Sequence, residues 1–401
     1  MSLQMSLQNP VFIPGPTNIP EALRRACDLP TIDHRSSAFP VLLASARTGV
    51  QAVIKSADAH VFIFPSTGTG GWETAIANTL SPGDTVLAVR NGMFSHKWIK
   101  MCRDFGLNVV MTEVAWGDGF PADWAAAQLA ADTDHKIKAV LATHNETATG
   151  VTSDIAAVRA ALSRANHPAL LFVDGVSSIG CIDFRFDEWG VDVAVTGSQK
   201  GFMLPAGLGI AAFSDKAMAA TETAGLPRGY FNIQDMAAAT AGGGYPYTPS
   251  YGLLNGLNEA CEMLLKEGLE NVFARHARMA EGVRAAVRAW GLEICATSPD
   301  LCSNTVTAIR TPEGFDAGRI VAHAETAYGM SFGAGLGDVA GRVFRIGHLG
   351  SLTEAMALSG LATAEMVMAD LGLDIPRGAG VVAAQDVYRL GKSEQFLEAA
   401  E

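Results

Sequence analysis

Residues 169–200 read ALLFVDGVSSIGCIDFRFDEWGVDVAVTGSQK and contain two apolar runs, ALLFVD and DVAVTG, on either side of a more polar stretch. Each run is apolar on both faces, which is typical of a buried strand in a parallel sheet that helices cover on both sides. Ligands of such sheets bind at the carboxyl ends of the strands. Asp174 ends the first run and Lys200 follows the second, so both side chains are expected at the ligand-binding edge.

The same alternation of short apolar runs and longer Ala-rich segments begins near residue 60 and continues to residue 214. This pattern predicts an α/β fold with a mostly parallel seven-stranded sheet and helices on both faces. The predicted strands are residues 60–64, 84–89, 108–114, 138–144, 169–174, 192–197 and 208–214.

The length of 401 residues favours two domains, because a single hydrophobic core seldom serves a chain of this size. A long amphipathic helix is predicted to start near residues 268–270, and weaker strands (LEI, NTVTAIRT, RVFRIGHLG) follow it. The sequence MSLQ occurs twice at the start, which predicts that residues 1–4 are a cloning remnant and that the native chain begins at Met5. The predicted parts are an N-terminal arm (1–20), a large domain (21–267) and a smaller α+β domain (268–401).

The net charge of −12 argues against nucleic acid or an anionic membrane as a partner, since both select basic surfaces. No apolar run approaches the roughly 20 residues that a membrane-spanning helix needs. The six cysteines are scattered without a C-x-x-C pair, which indicates reduced thiols and predicts a cytoplasmic protein. An anionic substrate would need a local arginine to bind it.

Lys200 and Asp174 have complementary chemistry if they share one site. Partial burial lowers the pKa of an amine, and a neutral amine attacks an aldehyde to form a Schiff base. An ionised aspartate can hold a pyridine nitrogen protonated, which turns the ring into an electron sink. The pair is therefore what pyridoxal 5′-phosphate (PLP) requires. The simpler alternatives are a surface lysine at a strand end and a helix-capping aspartate.

A glycine-rich turn, STGTGG at residues 66–71, lies between a predicted strand and a predicted helix. Backbone N–H groups at such a helix start bind anions. The turn lacks the G-K-[ST] ending of a P-loop and does not match G-x-G-x-x-G. It is interpreted as a phosphate cup, the third part of one cofactor site.

The motifs of this chain resemble those of the class V PLP-dependent aminotransferases, which have fold type I. The resemblance extends over nearly the whole chain, and it is greatest to the serine-, alanine- and aspartate–glyoxylate aminotransferases. VDGVSSIG followed by GSQKG is the most specific part. The other matching motifs are FIPGPTNIP, STGTGGWE, RNGMFSHKW, THNETATG, YPYTPS and RIGHLG.

The resemblance implies that Lys200 forms the Schiff base with the cofactor and carries a proton between the substrate α-carbon and C4′ of the cofactor. It also implies that Asp174 pairs with the pyridine nitrogen. Further matches to cofactor contacts are Thr67, Gly68, Thr69 and Gln199 at the phosphate and Thr147 near the 3′ oxygen.

Tyr245 and Thr248 match residues that reach the phosphate from the other subunit, which implies a homodimer with shared active sites. Phe94 takes the ring-stacking position, where relatives often have tryptophan, and core packing is its alternative role. Arg345 matches the arginine that binds the substrate α-carboxylate, and a structural ion pair is the alternative. Arg342 is expected to face solvent.

The implied reaction moves the amino group of serine, aspartate or alanine to glyoxylate, which gives glycine and a 2-oxo acid. The alternatives are another class V enzyme such as a cysteine desulfurase, and a PLP-fold binding protein without catalysis. His34 and Arg35 are candidates for lining the pocket, and Arg35 for receiving a distal carboxylate. His144 and Glu146 lack a third ligand at suitable spacing, so no metal site is expected.

Overall fold

The computed structural model describes the backbone of residues 9–398 and the side chains of residues 9–390. The predicted cloning remnant at residues 1–4 lies outside the described residues. The strands are β1 (Val11–Phe12), β2 (His60–Ser66), β3 (Thr85–Arg90), β4 (Asn108–Glu113), β5 (Ile137–Thr143), β6 (Asn145–Glu146), β7 (Val151–Thr152), β8 (Leu170–Asp174), β9 (Val193–Gly197), β10 (Gly207–Phe213), β11 (Glu293–Ile294), β12 (Val306–Arg310), β13 (Ser331–Ala334) and β14 (Val343–Gly347).

The helices alternate with these strands through the first two thirds of the chain. They are α1 (Glu21–Cys27), α2 (Ala38–Val53), α3 (Gly68–Thr79), α4 (Met93–Asp104), α5 (Ala122–Ala131), α6 (Ile155–Arg164), α7 (Asp215–Ala220), α8 (Ile233–Ala241), α9 (Tyr251–Glu267), α10 (Leu269–Ala289), α11 (Gly318–Tyr328), α12 (Glu354–Asp370) and α13 (Ala379–Glu398).

The seven strands β2, β10, β9, β8, β5, β3 and β4 form one sheet in that order. Strand β10 is antiparallel to both of its neighbours, and the other pairs are parallel. The predicted mostly parallel seven-stranded α/β sheet is thus confirmed. Strands β8 and β9 are adjacent and parallel, so Asp174 and the residues that follow Gly197 lie at the same edge.

Helices cover both faces of this sheet and bury two separate cores. Along β8, Leu171 and Val173 pack in the core that contains α2, α6 and α9, whereas Phe172 packs in the core that contains α3 and α4. Successive side chains of a strand point to opposite faces. A strand buried on both faces must therefore be apolar throughout, which is why the sequence pattern identified the central strands, whereas the edge strand β4 is only partly buried.

A second sheet of five strands has the order β1, β13, β14, β12 and β11. Helices α10, α12 and α13 pack with it around Phe344 and Leu361. The sequence predicted β11, β12 and β14 but missed β1 and β13, which are two and four residues long and carry little apolar pattern. The predicted boundary after residue 267 falls at Gly268, between α9 and α10, and the division into domains stays a prediction.

The glycine-rich turn is shorter than the sequence predicted, because β2 continues to Ser66 and α3 begins at Gly68. The glycines allow this close approach of helix and sheet, since a Cβ at Gly71 would overlap the side chain of Val195 on β9. Sequence reasoning took these glycines as turn formers, whereas several of them are helical. None of the helices within residues 9–398 has the length and apolarity that crossing a membrane requires.

Candidate active site

Lys200 lies in the turn after β9, where its side chain is largely buried. Its Nζ donates a hydrogen bond to the backbone carbonyl oxygen of Pro14, in the N-terminal segment. Burial lowers the pKa of this amine to about 8, and the positive charge of Arg345 contributes to the decrease. Asp174 acts in the opposite direction. A minor but significant fraction of the amine is therefore neutral near physiological pH, and the neutral amine is the form that can act as a nucleophile.

Asp174 ends β8 and is 4% exposed. One carboxylate oxygen accepts a hydrogen bond from the backbone N–H of Val176 at 2.9 Å. Burial raises the pKa of Asp174 to about 7, and the nearby negative charge of Glu146 adds to the increase. The aspartate does not cap a helix, because a turn follows β8. A cation placed against this carboxylate would stabilise its ionised form.

The start of α3 forms the base of the predicted phosphate cup. Thr67 is the residue before the helix, and the first helical hydrogen bond runs from the N–H of Gly71 to its carbonyl oxygen at 3.2 Å. The N–H groups of the first turn thus have no partner within the helix and can bind an anion. Among the described residues, nothing bonds to the buried Oε1 of Gln199, so its amide can turn towards a ligand.

One cavity of about 270 Å³ collects these groups. All eight residues that the sequence assigned to the cofactor within one chain line it, namely Thr67, Gly68, Thr69, Phe94, Thr147, Asp174, Gln199 and Lys200. The sequence analysis missed six further lining residues, Gly15, Pro16, Trp72, Val176, Ser177 and Ala206. Gly15 and Pro16 belong to the quoted FIPGPTNIP motif, which was the one signal that pointed to them.

Hydrogen bonds fix the wall that carries Thr147. The hydroxyl of Thr147 donates to Ser177 Oγ at 2.8 Å, and Ser177 Oγ donates to the carbonyl oxygen of Asn145 at 3.0 Å. The amide of Asn145 also donates to Ser177 Oγ at 2.8 Å. Ser177 therefore uses its donor and both acceptor positions within the wall. This leaves Thr147 Oγ as the hydroxyl oxygen that can still accept a hydrogen bond from the cavity.

Phe94 lies in the first turn of α4 and is half-buried. Its ring lines the cavity and also packs at the border of the core that contains α3 and α4. The two roles considered for this residue, cavity wall and core packing, are thus compatible. An aromatic face and the apolar Val176 give the cavity walls suited to a flat ring.

Arg345 lies on β14 and is 6% exposed. Its Nε donates to the carbonyl oxygen of Ala334 and its Nη1 to that of Thr147, each at 2.9 Å. Within the described part of the chain, no carboxylate lies within 4 Å of this guanidinium, so the structural ion pair considered above is absent there. Burial lowers the pKa of Arg345 to about 10. A substrate carboxylate would compensate this buried charge. Arg342 is exposed, as predicted.

Arg345 and four further candidates are not among the residues that line this cavity in their own chain. The Tyr245 hydroxyl donates to the carbonyl oxygen of Ile63, and Thr248 is exposed. His34 packs edge-to-face on Phe39, and Arg35 is exposed. The sequence analysis assigned Tyr245 and Thr248 to the site of another subunit, and that assignment stays a prediction.

His144 and Glu146 are buried and bind other groups of the chain. His144 Nδ1 lies 2.9 Å from Ser178 Oγ, and the Glu146 carboxylate accepts backbone hydrogen bonds. The described residues contain no group of three or more His, Cys, Asp or Glu side chains arranged to hold a metal ion.

The residues present fit PLP. One cavity is lined by a lysine with a lowered pKa, a buried aspartate, a helix start without a side-chain cap and the amide side chain of Gln199. These groups match the aldehyde, the pyridine nitrogen and the phosphate of that cofactor. Lys200 and Asp174 would hold its reactive carbon and its ring nitrogen.

Known aminotransferases resemble this chain over most of its length. Residues 29–331 match the family model of aminotransferase class V. The chain is 69% identical to the L-aspartate–glyoxylate aminotransferase of Paracoccus denitrificans, over 96% of this chain and 97% of that protein. It is 51% identical to the serine–glyoxylate aminotransferase of Hyphomicrobium methylovorum, over 96% of this chain and 95% of that protein.

Solved structures of aminotransferases share the fold. The ureidoglycine–glyoxylate aminotransferase of Bacillus subtilis superimposes with a TM-score of 0.89 at 25% identity, covering 94% of this chain and 97% of that one. The match includes both sheets because nearly the whole of each chain is covered. The resemblance seen in the motifs is thereby confirmed. The chain belongs to the class V aminotransferase family of fold type I enzymes, and pyridoxal 5′-phosphate is its cofactor.

Proposed function

We propose that this aminotransferase moves the amino group of a small L-amino acid to glyoxylate, which yields glycine and a 2-oxo acid. The observation that carries the proposal is the single cavity in which the Lys200 amine, the Asp174 carboxylate and the α3 start meet. The names of the relatives supply the acceptor. Since the 69% identical relative is named for L-aspartate, aspartate is the first donor to test, ahead of serine and alanine.

When bound, the cofactor supplies an electron sink for the bonds at the substrate α-carbon. Lys200 would hold the cofactor through Nζ, and the same amine would accept the proton of the substrate α-carbon and return it. Its lowered pKa keeps part of the amine neutral, as both roles require. Asp174 would hold the ring nitrogen of the cofactor in its protonated form.

Arg345 binds the substrate carboxylate and so fixes the position of the α-carbon relative to Lys200. Two of its nitrogens are held by backbone carbonyls, and Nη2 donates no hydrogen bond within the described residues. An arginine that is oriented in advance loses little freedom when the carboxylate binds. The positive charge of Arg345 also offsets the repulsion that a protein of net charge −12 exerts on an anionic substrate.

We further propose a cytoplasmic homodimer in which Tyr245 and Thr248 reach the phosphate of the partner's site. Support for the dimer comes from the match of YPYTPS to the family motif and from the position of Thr248, exposed and outside the cavity of its own chain. Support for the cytoplasm comes from six free cysteines.

No observation favours a cysteine desulfurase. All six cysteines are described, and none of them lines the cavity that contains Lys200. Burial raises the pKa of Cys302, which lies next to a predicted strand, and its thiol contacts the carbonyl oxygen of Ser298. A protein without catalysis is disfavoured as well, because Lys200 and Asp174 are both in place.

The test is a donor and acceptor panel with the purified, PLP-loaded protein. Aspartate, serine and alanine are each paired with glyoxylate, pyruvate or 2-oxoglutarate, and product amino acids are quantified over time. We expect glycine formation from aspartate and glyoxylate to have the highest kcat/KM. A clear preference for pyruvate or 2-oxoglutarate as acceptor would refute the proposed reaction, and a preference for serine would refute the choice of donor.

A further inference from the structure

Glu146 is fully buried, and its carboxylate accepts hydrogen bonds from three backbone N–H groups. The N–H groups of Phe94 and Ser95 donate to Oε2, each at 3.0 Å, and that of Ala148 donates to Oε1 at 3.0 Å. Phe94 and Ser95 form the start of α4, whereas Ala148 follows Thr147 on another part of the chain. One carboxylate thus joins two separate walls of the active site.

Each of the joined segments carries a group of the proposed mechanism. The α4 start carries the ring of Phe94, which lines the cavity. The segment at Thr147 carries the hydroxyl that faces the cavity and the carbonyl oxygen that holds Arg345 Nη1 at 2.9 Å. A displacement of Glu146 would therefore move the ring wall relative to the carboxylate-binding arginine.

The sequence provides the space that this arrangement needs. A Cβ at Gly92 would overlap the carboxyl group of Glu146, so glycine at this position lets the carboxylate approach the helix start. The partial positive charge of the α4 N-terminus favours an anion there. Burial raises the pKa of Glu146, and the N–H groups of Ser95 and Ala148 oppose that increase.

We propose that Glu146 is a positioning residue of the active site, whose carboxylate sets the distance and angle between the ring wall at Phe94 and the substrate-binding Arg345. The inference rests on the proposed function, since it takes Arg345 as the carboxylate receptor. A carboxylate with a merely structural role would stabilise the fold without affecting cofactor orientation or donor binding.

Glu365 provides the matched control. It is 5% exposed and accepts hydrogen bonds from the N–H groups of Gly378 and Gly380 and from Trp290 Nε1. It thus resembles Glu146 in burial and in the kind of donor, but it lies on α12, and its carboxylate faces the start of α13, away from the cavity that contains Lys200. Replacing either glutamate by glutamine keeps the side-chain shape and turns one acceptor into a donor, which opposes a backbone N–H group.

The experiment compares the PLP-loaded Glu146→Gln and Glu365→Gln variants with the wild type. We expect both variants to have lower melting temperatures. Only Glu146→Gln should weaken the visible circular dichroism of bound PLP, which reports ring orientation, and raise KM for the amino donor. A combined loss in kcat/KM on the order of a hundredfold is expected, since a displacement of about 1 Å of a positioned group has that effect.

A second variant, Glu146→Asp, separates the charge of the carboxylate from its reach. Glu146→Asp retains the charge on a shorter side chain and should show a smaller loss than Glu146→Gln, which keeps the test decisive if the glutamine variant does not fold. If both Glu146 variants have the circular dichroism and donor KM of the wild type, the positioning role is overturned. A failure of the proposed reaction would appear differently, as absence of glycine formation in the wild type.

Discussion

The pKa of Lys200 is the property from which the proposed chemistry can be tested most directly. Burial and the charge of Arg345 lower it to about 8. At pH 7, an amine with this pKa is roughly one-tenth neutral, whereas one with the ordinary pKa of 10.5 is about 0.03% neutral, a difference of about three hundredfold. The environment of Lys200 therefore accounts for a large acceleration of its attack on the cofactor aldehyde.

The perturbation is Arg345→Gln, which removes one positive charge near the amine. Loss of this charge favours the ammonium form, so the pKa of Lys200 rises. Below the pKa, each unit of increase reduces the neutral fraction about tenfold. The control is Arg342→Gln. Arg342 lies three residues before Arg345 in the chain, but it is exposed and does not contribute to the lowered pKa of Lys200.

The assay is rapid mixing of the cofactor-free protein with PLP, with the visible absorbance recorded from about pH 6 to about pH 11 to cover both pKa values. We expect the rate of covalent attachment to rise with pH through a midpoint near 8 in the wild type and in Arg342→Gln, and through a higher midpoint in Arg345→Gln. A wild-type midpoint close to 10, or equal midpoints in the two arginine variants, would refute the reasoning.

Three other predictions follow from the same site. Gly15→Ala should lower kcat by about tenfold or more, because Gly15 has φ +109° and a Cβ there would lie 2.5 Å from Lys200 Nζ. Gly106 also has a positive φ, +75°, but no atom lies near its Cβ position, so the control variant Gly106→Ala should lower the melting temperature without lowering kcat. Asp174→Asn should lower kcat on the order of a hundredfold in steady-state assays. Burial raises the folded-state pKa of Asp174 to about 7, above its ordinary value. The cofactor-free wild type should therefore lose up to about 4 kcal/mol of its free energy of unfolding as the pH rises from about 4 to about 7. Denaturant titrations should show that Asp174→Asn lacks this loss. A mixed dimer of Lys200→Ala chains with Tyr245→Ala chains should regain activity at one of its two sites if Tyr245 acts across the interface, and no recovery would contradict the shared site.

The central strands of the sheet could be predicted from the sequence because they are buried on both faces. Phe172 faces one core and its neighbours Leu171 and Val173 face the other, so the run has no polar gap and stands out from the helices. Strands β1 and β13 carry no such signal. Strand β1 is defined by its pairing with β13, more than 300 residues away in the chain, and pairing over that distance cannot be deduced from a local pattern.

The residues of the site likewise fall into those that the sequence could identify and those that it could not. The roles of Lys200, Asp174 and the glycine-rich turn could be predicted because they follow from the residue type and from its position at the end of a strand. Gly15 and Val176 contribute through backbone approach and apolar contact, which many residues of a chain could provide. Glu146 was considered as a metal ligand, and the sequence could not show that its carboxylate faces the start of α4, since that contact depends on two segments about 50 residues apart.

Two buried charges of this site lack an opposite charge within hydrogen-bonding distance in the described chain. Asp174 accepts a hydrogen bond from the backbone N–H of Val176, and Arg345 donates to two backbone carbonyl oxygens. A buried charge without a counterion lowers stability, and the raised pKa of Asp174 together with the lowered pKa of Arg345 reflects this. The protonated ring nitrogen and the substrate carboxylate would supply the missing charges. Binding of each ligand should therefore stabilise the folded protein by more than its contact area alone would give, since it also neutralises a buried charge that lowers the stability of the free protein. By this reasoning, the gain in melting temperature on PLP binding should be smaller in Asp174→Asn, whose amide imposes no such penalty in the free protein.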